Sequence, residues 1–411
     1  MPIEWLTRLG RLPQFAALRH RDFRLLWAAT LLSSTARWAD VVVVAWLTLE
    51  LTDSPLMVGI VAASKMVGYL AAPFMGVVVD RMDRRLLLIV AAVVNAAVSA
   101  VMLLLFVFGW LALWHVIALA VVSSLTWALD NPTRNAFVPD LVGREHLTNA
   151  IALNSLAIEI TVVVGPAMGG ILIPVLGMGG TYGLIAAIYL VDVVVLFLLK
   201  DARQGGSHTH ESPVKSLIGG LKYVWGNPTV LVLMAIALLL NLLAAPYRYA
   251  FLPVFARDIL EAGPAGYGML TAMAGFGALV AGIWIVSLGD FGRKGRILMW
   301  SGLAWPASLV LFAVSTSYYV SAALVFVAGL AQAIVWTVIA TLILGHTAQP
   351  MRGRVMGLRT GVVVALPFGN FLAGAVAERF GAPLAQGAYA VAAMLLMLAI
   401  VVRVPGLRKL E

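Results

Sequence analysis

The sequence contains no cysteine, which excludes disulfides and thiolate metal sites and leaves the redox compartment unmarked. It is also short of charge. Only 11% of its 411 residues are Asp, Glu, Lys or Arg, against 62% that are hydrophobic. A soluble chain carries about 25% charged and about 45–50% apolar residues, so too little polar surface exists here to cover the apolar remainder. Lipid as solvent resolves the mismatch. The 6 histidines fall in no spacing pattern, and there is no G-x-S-x-G, phosphate loop or metal triad. The expectation is a protein that is not an enzyme and needs no cofactor or metal.

Acids are the scarcer charge, 19 against 28 bases, giving a net charge of +9. The bases neither share one amphipathic face nor alternate with aromatics, so nucleic acid is not the expected partner. They sit in short runs between apolar stretches, as topology signals do.

A spanning helix needs about 20 mostly apolar residues. Such runs occur near 24–50, 55–79, 86–108, 111–133, 148–174, 180–199, 228–254, 265–288, 297–315, 318–344, 356–380 and 383–402. They predict an all-α membrane protein of twelve transmembrane helices. The first run follows Arg19, Arg21 and Arg24 and is too long for the h-region of a cleaved leader, so it is expected to remain as a span. Nearly all bases then fall in the loops on the side of the N-terminus. Only Arg257 and Arg379 lie opposite, while Arg37, Lys65 and Arg248 fall within spans. Both termini are therefore expected in the cytoplasm of a cell inner membrane.

The polar stretch from Asp201 to about Ser216 divides the chain into an N-terminal six-helix bundle (1–200), a cytoplasmic linker (201–221) and a C-terminal six-helix bundle (222–411). Its middle, with His208 and His210 among Gly, Ser and Thr, reads as a flexible linker. Residues 212–225 suit a short helix on the inner surface. The halves echo each other: Val162-Val163-Val164-Gly165-Pro166 is answered by Val362-Val363-Val364-Ala365-Leu366-Pro367 about 200 residues on. Repeated six-span halves around a midplane cavity are a transporter architecture.

Two motifs carry a family resemblance. Gly76-Val77-Val78-Val79-Asp80-Arg81-Met82-Asp83-Arg84-Arg85 resembles the loop-two-three signature of the major facilitator superfamily, G-x-x-x-D-R-x-G-R-R, with Asp83 in place of the usual Gly. Gly165-Pro166-Ala167-Met168-Gly169-Gly170 resembles the end of that superfamily's antiporter motif, with Thr161 replacing its leading Gly. Asp130-Asn131-Pro132, Val138-Pro139-Asp140-Leu141-Val142 and Arg352-Gly353-Arg354 are similar to segments of the bacterial drug and siderophore exporter branch, of the enterobactin-exporter kind. The resemblance implies two pseudo-symmetric bundles, a small-molecule substrate, protons as the coupling ion and a monomer in the bilayer. Export by alternating access is the leading expectation. A facilitator or importer of the same fold, including a lipid or lysophospholipid transporter, is the alternative. Asp80 near the start of span eleven, with Gly76, Arg81, Arg84, Arg85 and Arg134, would form a cytoplasmic conformational latch. Many proton-driven exporters carry an Arg within span four; by the predicted boundary Arg134 falls at or beyond the end of that span.

Ionisable residues within spans cost roughly 2.5–3.5 kcal/mol each and so demand a use or a partner. Arg37 and Asp40, three apart on one helix, form the simplest internal pair, with Lys65 as a second base at similar depth. Glu159 and Asp192 have no counter-charge nearby in sequence. A carboxyl isolated in a low dielectric resists ionisation, and each unit by which two conformations differ in proton affinity is worth about 1.36 kcal/mol. Asp40, Glu159 and Asp192 are thus the expected proton-coupling residues. In the second half Asn241, Arg248, Gln332, Trp336 and Asn370 are cavity candidates. They are few, and a mostly apolar cavity with a few carboxylates suits a lipophilic, weakly cationic or bulky substrate.

Overall fold

The computed structural model describes residues 13–200, 213–289 and 292–410. The linker histidines His208 and His210 lie outside these, as do the side chains of Gly76, Asp80 and Arg81. Every regular element among the described residues is helical. Nine of these helices are long and apolar enough to cross a membrane: Arg84–Val107, Leu113–Gly143, Glu145–Phe197, Pro228–Ile259, Gly263–Leu288, Lys294–Ala313, Tyr318–Gly345, Gln349–Phe380 and Ala382–Arg403. Ahead of them run Arg21–Thr52, whose middle carries Arg37 and Asp40, and the pair Pro55–Ser64 and Gly68–Arg81.

Local chemistry sets the boundaries. Ser54 caps Pro55–Ser64 by accepting from Met57 N at 3.3 Å, with Pro55 in the first turn. Asn227 does the same for the helix from Pro228, accepting from Val230 N at 3.2 Å. An oxygen there satisfies an amide the helix cannot. Asp83, the departure from the family loop, has the same role: its Oδ1 accepts from Leu86 N at 2.7 Å and caps Arg84–Val107. Gly143 and Gly177, with φ of 68° each, break the long run from Leu113 to Phe197. Glycine adopts that backbone without a Cβ clash, so each corner needs no loop.

One boundary is corrected. Asp130-Asn131-Pro132 suggests an end near 133, yet the helix runs Leu113–Gly143 with Pro132 and Pro139 inside it. Each proline forfeits one intrahelical bond, and Asp130 is neutralised by Arg134 one turn on, so the helix continues through both.

The chain divides into two compact units, one drawn from Met1–Val43 and Ala71–His210, the other from Val44–Leu70 and Glu211–Glu411. In the first, Phe23, Leu26, Leu88, Phe137, Leu153 and Leu196 share a buried core. A Cβ on Gly165 would stand 2.5 Å from Trp38 Cβ, and one on Gly169 2.6 Å from the Ala39 carbonyl oxygen. The glycines of the antiporter-like motif therefore let two backbones touch. Before the first long helix, Ala17 N donates to Asn149 Oδ1 at 2.9 Å, and His20 Nε2 meets His146 Nδ1 at 3.2 Å.

The second unit has its own close crossings. Gly59 and Gly374 face each other, a Cβ on either lying 3.0 Å from the other's Cα. At the start of Pro55–Ser64, Glu378 Oε2 accepts from Ser54 Oγ at 2.8 Å and Leu56 N at 3.2 Å. Arg257 bonds Asp53 at 2.5 Å and the Leu49 carbonyl at 3.1 Å. The helix expected near 212–225 forms as Pro213–Gly226. Its Gly219 and Gly220 lie against Arg354 and Leu358, and Tyr223 Oη accepts from Ala348 N at 3.0 Å.

Candidate functional site

A small pocket opens within the first unit, lined by Ser33, Ser34 and Arg37, Ala92 and Asn95, Ser123, Thr126, Trp127 and Asp130, and Tyr189 and Asp192. Four helices meet there. Most of the lining residues carry polar side chains within an otherwise apolar bundle, which makes this the candidate binding or ion site.

The charges are arranged around Arg134. Its Nε donates to both Asp130 carboxylate oxygens at 2.9 Å, and its Nη2 stands 3.6 Å from Asp192 Oδ2. Nη1 reaches Thr30 Oγ1 at 3.3 Å. The side chains are 5%, 15% and 0% exposed for Arg134, Asp130 and Asp192. Asp130 and Arg134 are one turn apart, so their helix alone presets that pair. Asp192 comes from the far end of the chain segment, and neither of its carboxylate oxygens has a hydrogen-bond partner. Its interaction with Arg134 is an ion pair without a hydrogen bond, the weaker half of a forked arrangement.

Aromatic and amide groups complete the wall. The Arg37 guanidinium carbon lies 3.1 Å from the Trp127 ring centroid and 5.9 Å from that of Trp38. Thr126 Oγ1 donates to Asn95 Oδ1 at 2.9 Å, and Asn95 Nδ2 donates to the Ala91 carbonyl at 3.0 Å. Behind Arg134, Thr30 Oγ1 donates to Asn154 Oδ1 at 3.4 Å, and Asn154 Nδ2 to Asn135 Oδ1 at 3.5 Å. Arg37 and Arg134 balance Asp130 and Asp192 in formal charge, and the neighbouring Asp40 adds a negative charge.

Of the residues singled out in the sequence, Arg37 and Asp192 line this cavity and Arg134 binds its acids. Asp40 lies half-buried close enough to Tyr189 and Tyr182 to act on them electrostatically. Glu159 is on an exposed face of its helix. Lys65 belongs to the other unit, at the end of Pro55–Ser64. Arg84 bonds Asp140 and the Ala136 carbonyl, and Arg85 Nη2 donates to the Phe197 carbonyl at 2.7 Å, a cation at a helix C-terminus. Gly170 and Pro166 lie in the helix that presents Gly165 and Gly169. In the second unit Asn241, Arg248 and Asn370 are buried. Arg248 sits in a helix interrupted by 3₁₀ and π turns between Ala245 and Ile259. Asn370 Nδ2 contacts Met66 Sδ at 3.3 Å, the Trp336 carbonyl accepts from Arg359 Nη2 at 3.1 Å, and Gln332 is half-buried on the Trp336 helix.

The residues that sequence reasoning did not weigh are Asp130 as a charge partner, Trp127, Tyr189, Asn95 and Thr126. The spacing Trp127, Asp130, Arg134 on one helix face was the available signal, hidden by the misplaced end of the span.

Residues 12–411 match the profile of the family described as "transmembrane secretion effector". The multidrug efflux pump Tap of Mycobacterium tuberculosis is 26% identical over 400 residues, covering 94% of each chain. The enterobactin exporter EntS of Escherichia coli is 28% identical over 225 residues, 55% of this chain and 53% of that protein. Among solved structures, the nucleoside transporter NupG is similar with a TM-score of 0.75 at 13% identity, covering 93% of this chain and 98% of that one. An inward-facing, unoccupied bacterial homologue of the human lysosomal transporter Spinster follows with 0.71 at 14% identity, covering 95% and 97%. At such identities these two show the fold alone.

Proposed function

This chain belongs to the transmembrane secretion effector family of the major facilitator superfamily, membrane transporters and not enzymes, and from that premise we propose a proton-coupled exporter of small lipophilic or bulky molecules. The observation that carries the coupling is the buried Asp130–Arg134–Asp192 cluster on the wall of a polar cavity. A guanidinium held by one acid through two hydrogen bonds and by a second through charge alone has two electrostatic states. With Asp192 ionised it is shared; with Asp192 protonated it belongs to Asp130. At an effective dielectric of about 20, a unit pair 3.6 Å apart is worth about 4–5 kcal/mol. Moving a two-state equilibrium from 1:99 to 99:1 takes about 5.5 kcal/mol, so one proton at this position is nearly sufficient. Asp40, half-buried beside the same cavity, is the second candidate, and Glu159 the third.

In this reading twelve spans form two six-helix bundles, 1–200 and 222–411, joined by the 201–221 linker. They alternate access to the cavity as a monomer in the cell inner membrane with both termini in the cytoplasm. Nine apolar helices, the Gly177 break and the two helical stretches ahead of Arg84 support that count. Drug or siderophore-like compounds are the proposed substrates, in keeping with the names of the relatives. The Asp80 loop acts as the cytoplasmic latch, with Gly76, Arg81, Arg84 and Arg85; Asp80→Asn is expected to impair turnover.

The test is transport into inverted vesicles under an imposed pH gradient, screened over dyes and siderophores. Substrate-dependent proton release supports exchange. Accumulation that ignores the gradient refutes the coupling and favours a facilitator.

A further inference from the structure

We propose that the pocket in the first unit is a binding site for one dehydrated monovalent metal cation, which competes with the proton for Asp192. The inference rests on Asp192 being the coupling acid and deepens that reading by naming what its carboxylate holds once the proton leaves. Size restricts the occupant. The pocket has a volume of about 20 Å³, and a single water needs roughly 10–15 Å³, so a bare ion fits and an organic molecule does not. The wall offers lone pairs and few protons. Ser33 Oγ donates to the Ala29 carbonyl at 2.9 Å, and Thr126 Oγ1 donates to the Ser123 carbonyl at 2.7 Å or to Asn95 Oδ1 at 2.9 Å. A hydroxyl has one proton and two lone pairs, so both groups can only accept from an occupant. Asp192 lines the same pocket, is 0% exposed, and has no hydrogen-bond partner at either carboxylate oxygen. Acceptor oxygens around so small a space are the ligands of a hard metal cation.

A water molecule would also fit, and charge decides between the two. Arg37 and Arg134 bring two positive charges, whereas Asp130, Asp192 and Asp40, which acts on Tyr189 in the pocket wall, bring three negative ones. The cluster is left with one negative charge in a bundle where an unbalanced charge is costly. A proton on Asp192 cancels it, and so does a monovalent cation in the pocket. A divalent ion would leave the opposite excess. Each guanidinium has a partner of its own: Arg134 holds Asp130 through two bonds of 2.9 Å, and the Arg37 guanidinium carbon lies 3.1 Å from the Trp127 ring centroid. The entering cation displaces neither.

The test uses the purified full chain in lipid nanodiscs, with no gradient and no substrate, and radioactive sodium ion as the probe. Choline, too large for the pocket, keeps the ionic strength constant. At pH 8 one sodium ion per chain is expected to bind saturably. Its affinity should fall as the pH is lowered, by about tenfold per unit once the proton holds Asp192. Asp192→Asn should weaken sodium by more than about 100-fold through loss of the contacting charge. Thr126→Val keeps the shape, removes one oxygen and should cost about 2- to 12-fold, the worth of one polar contact. Absence of saturable sodium binding at pH 8 overturns the proposal, as does an affinity that ignores pH, or wild-type affinity in either variant. The coupling experiment fails separately: proton release by a chain that binds no sodium refutes this site and keeps the exchanger, while sodium binding without proton release refutes proton exchange and keeps the site.

Discussion

Replacing Asp192 by Asn deletes one negative charge from the cavity while changing almost no volume. Arg134 keeps its two 2.9 Å bonds to Asp130, so the guanidinium is not left without a counter-ion. The cost in stability should stay below the 3–5 kcal/mol that follows when a buried charge loses its sole partner. What disappears is the attraction across 3.6 Å, about 4–5 kcal/mol at an effective dielectric of about 20, or roughly a thousandfold in a conformational equilibrium. The variant mimics the protonated cluster permanently. In proteoliposomes it is expected to move substrate down its own gradient but not to accumulate substrate against it, whatever the sign of the imposed pH difference. Substrate-induced proton release, recorded with a pH dye in lightly buffered detergent, should fall to background. Wild-type proton release together with wild-type accumulation in Asp192→Asn would remove this acid from the mechanism and with it the shared-guanidinium argument.

Three further outcomes follow from the packing. Gly169→Val places a side chain 2.6 Å from the Ala39 carbonyl oxygen and should destabilise the first unit by about 1–3 kcal/mol, read as a lower thermal midpoint; an unchanged midpoint contradicts the close contact. Glu378→Ala removes the acceptor of Ser54 Oγ and Leu56 N and should speed amide exchange at residues 56–58, by an amount equivalent to roughly 0.5–2 kcal/mol for a lost cap. Burial first, and then the nearby His146, lower the pKa of His20 from its ordinary value of 6.5. A depressed folded value means that the unfolded segment binds the proton more readily, so docking of residues 13–19 is full at neutral pH and weakens as pH falls through 6.5. Amide exchange of that segment at pH 7.5 and 5.5 reads the effect, and His20→Phe should abolish the difference.

Much of the fold was legible because a bilayer imposes one rule on every span. Length and apolarity alone placed Tyr318–Gly345 within a residue or two. The failure at Leu113–Gly143 has a local cause: Asp130, Asn131 and Pro132 are end signals in water-facing helices, and only the Asp130–Arg134 pair one turn on reveals that the charge is neutralised. That misplacement also put Arg134 in a loop and obscured the site. Asp192 was found by its oddity within an apolar run. Its partner could not be read, because Arg134 is 58 positions away and pairing across helices leaves no periodic trace. Glu159, on an exposed face of its helix, shows that a position within a span does not tell which way its side chain turns.

The corners at Gly143 and Gly177 carry a practical lesson for anyone who would modify this molecule. Three successive rods are soldered end to end through single residues, so there is no slack at either joint to absorb an inserted tag, protease site or fluorescent module. Any added length there has to be taken up by sliding a whole rod along its neighbours, dragging the cavity wall with it. Reporters belong at the chain ends, and a crosslink placed near either corner would gauge tilting of all three rods as one lever.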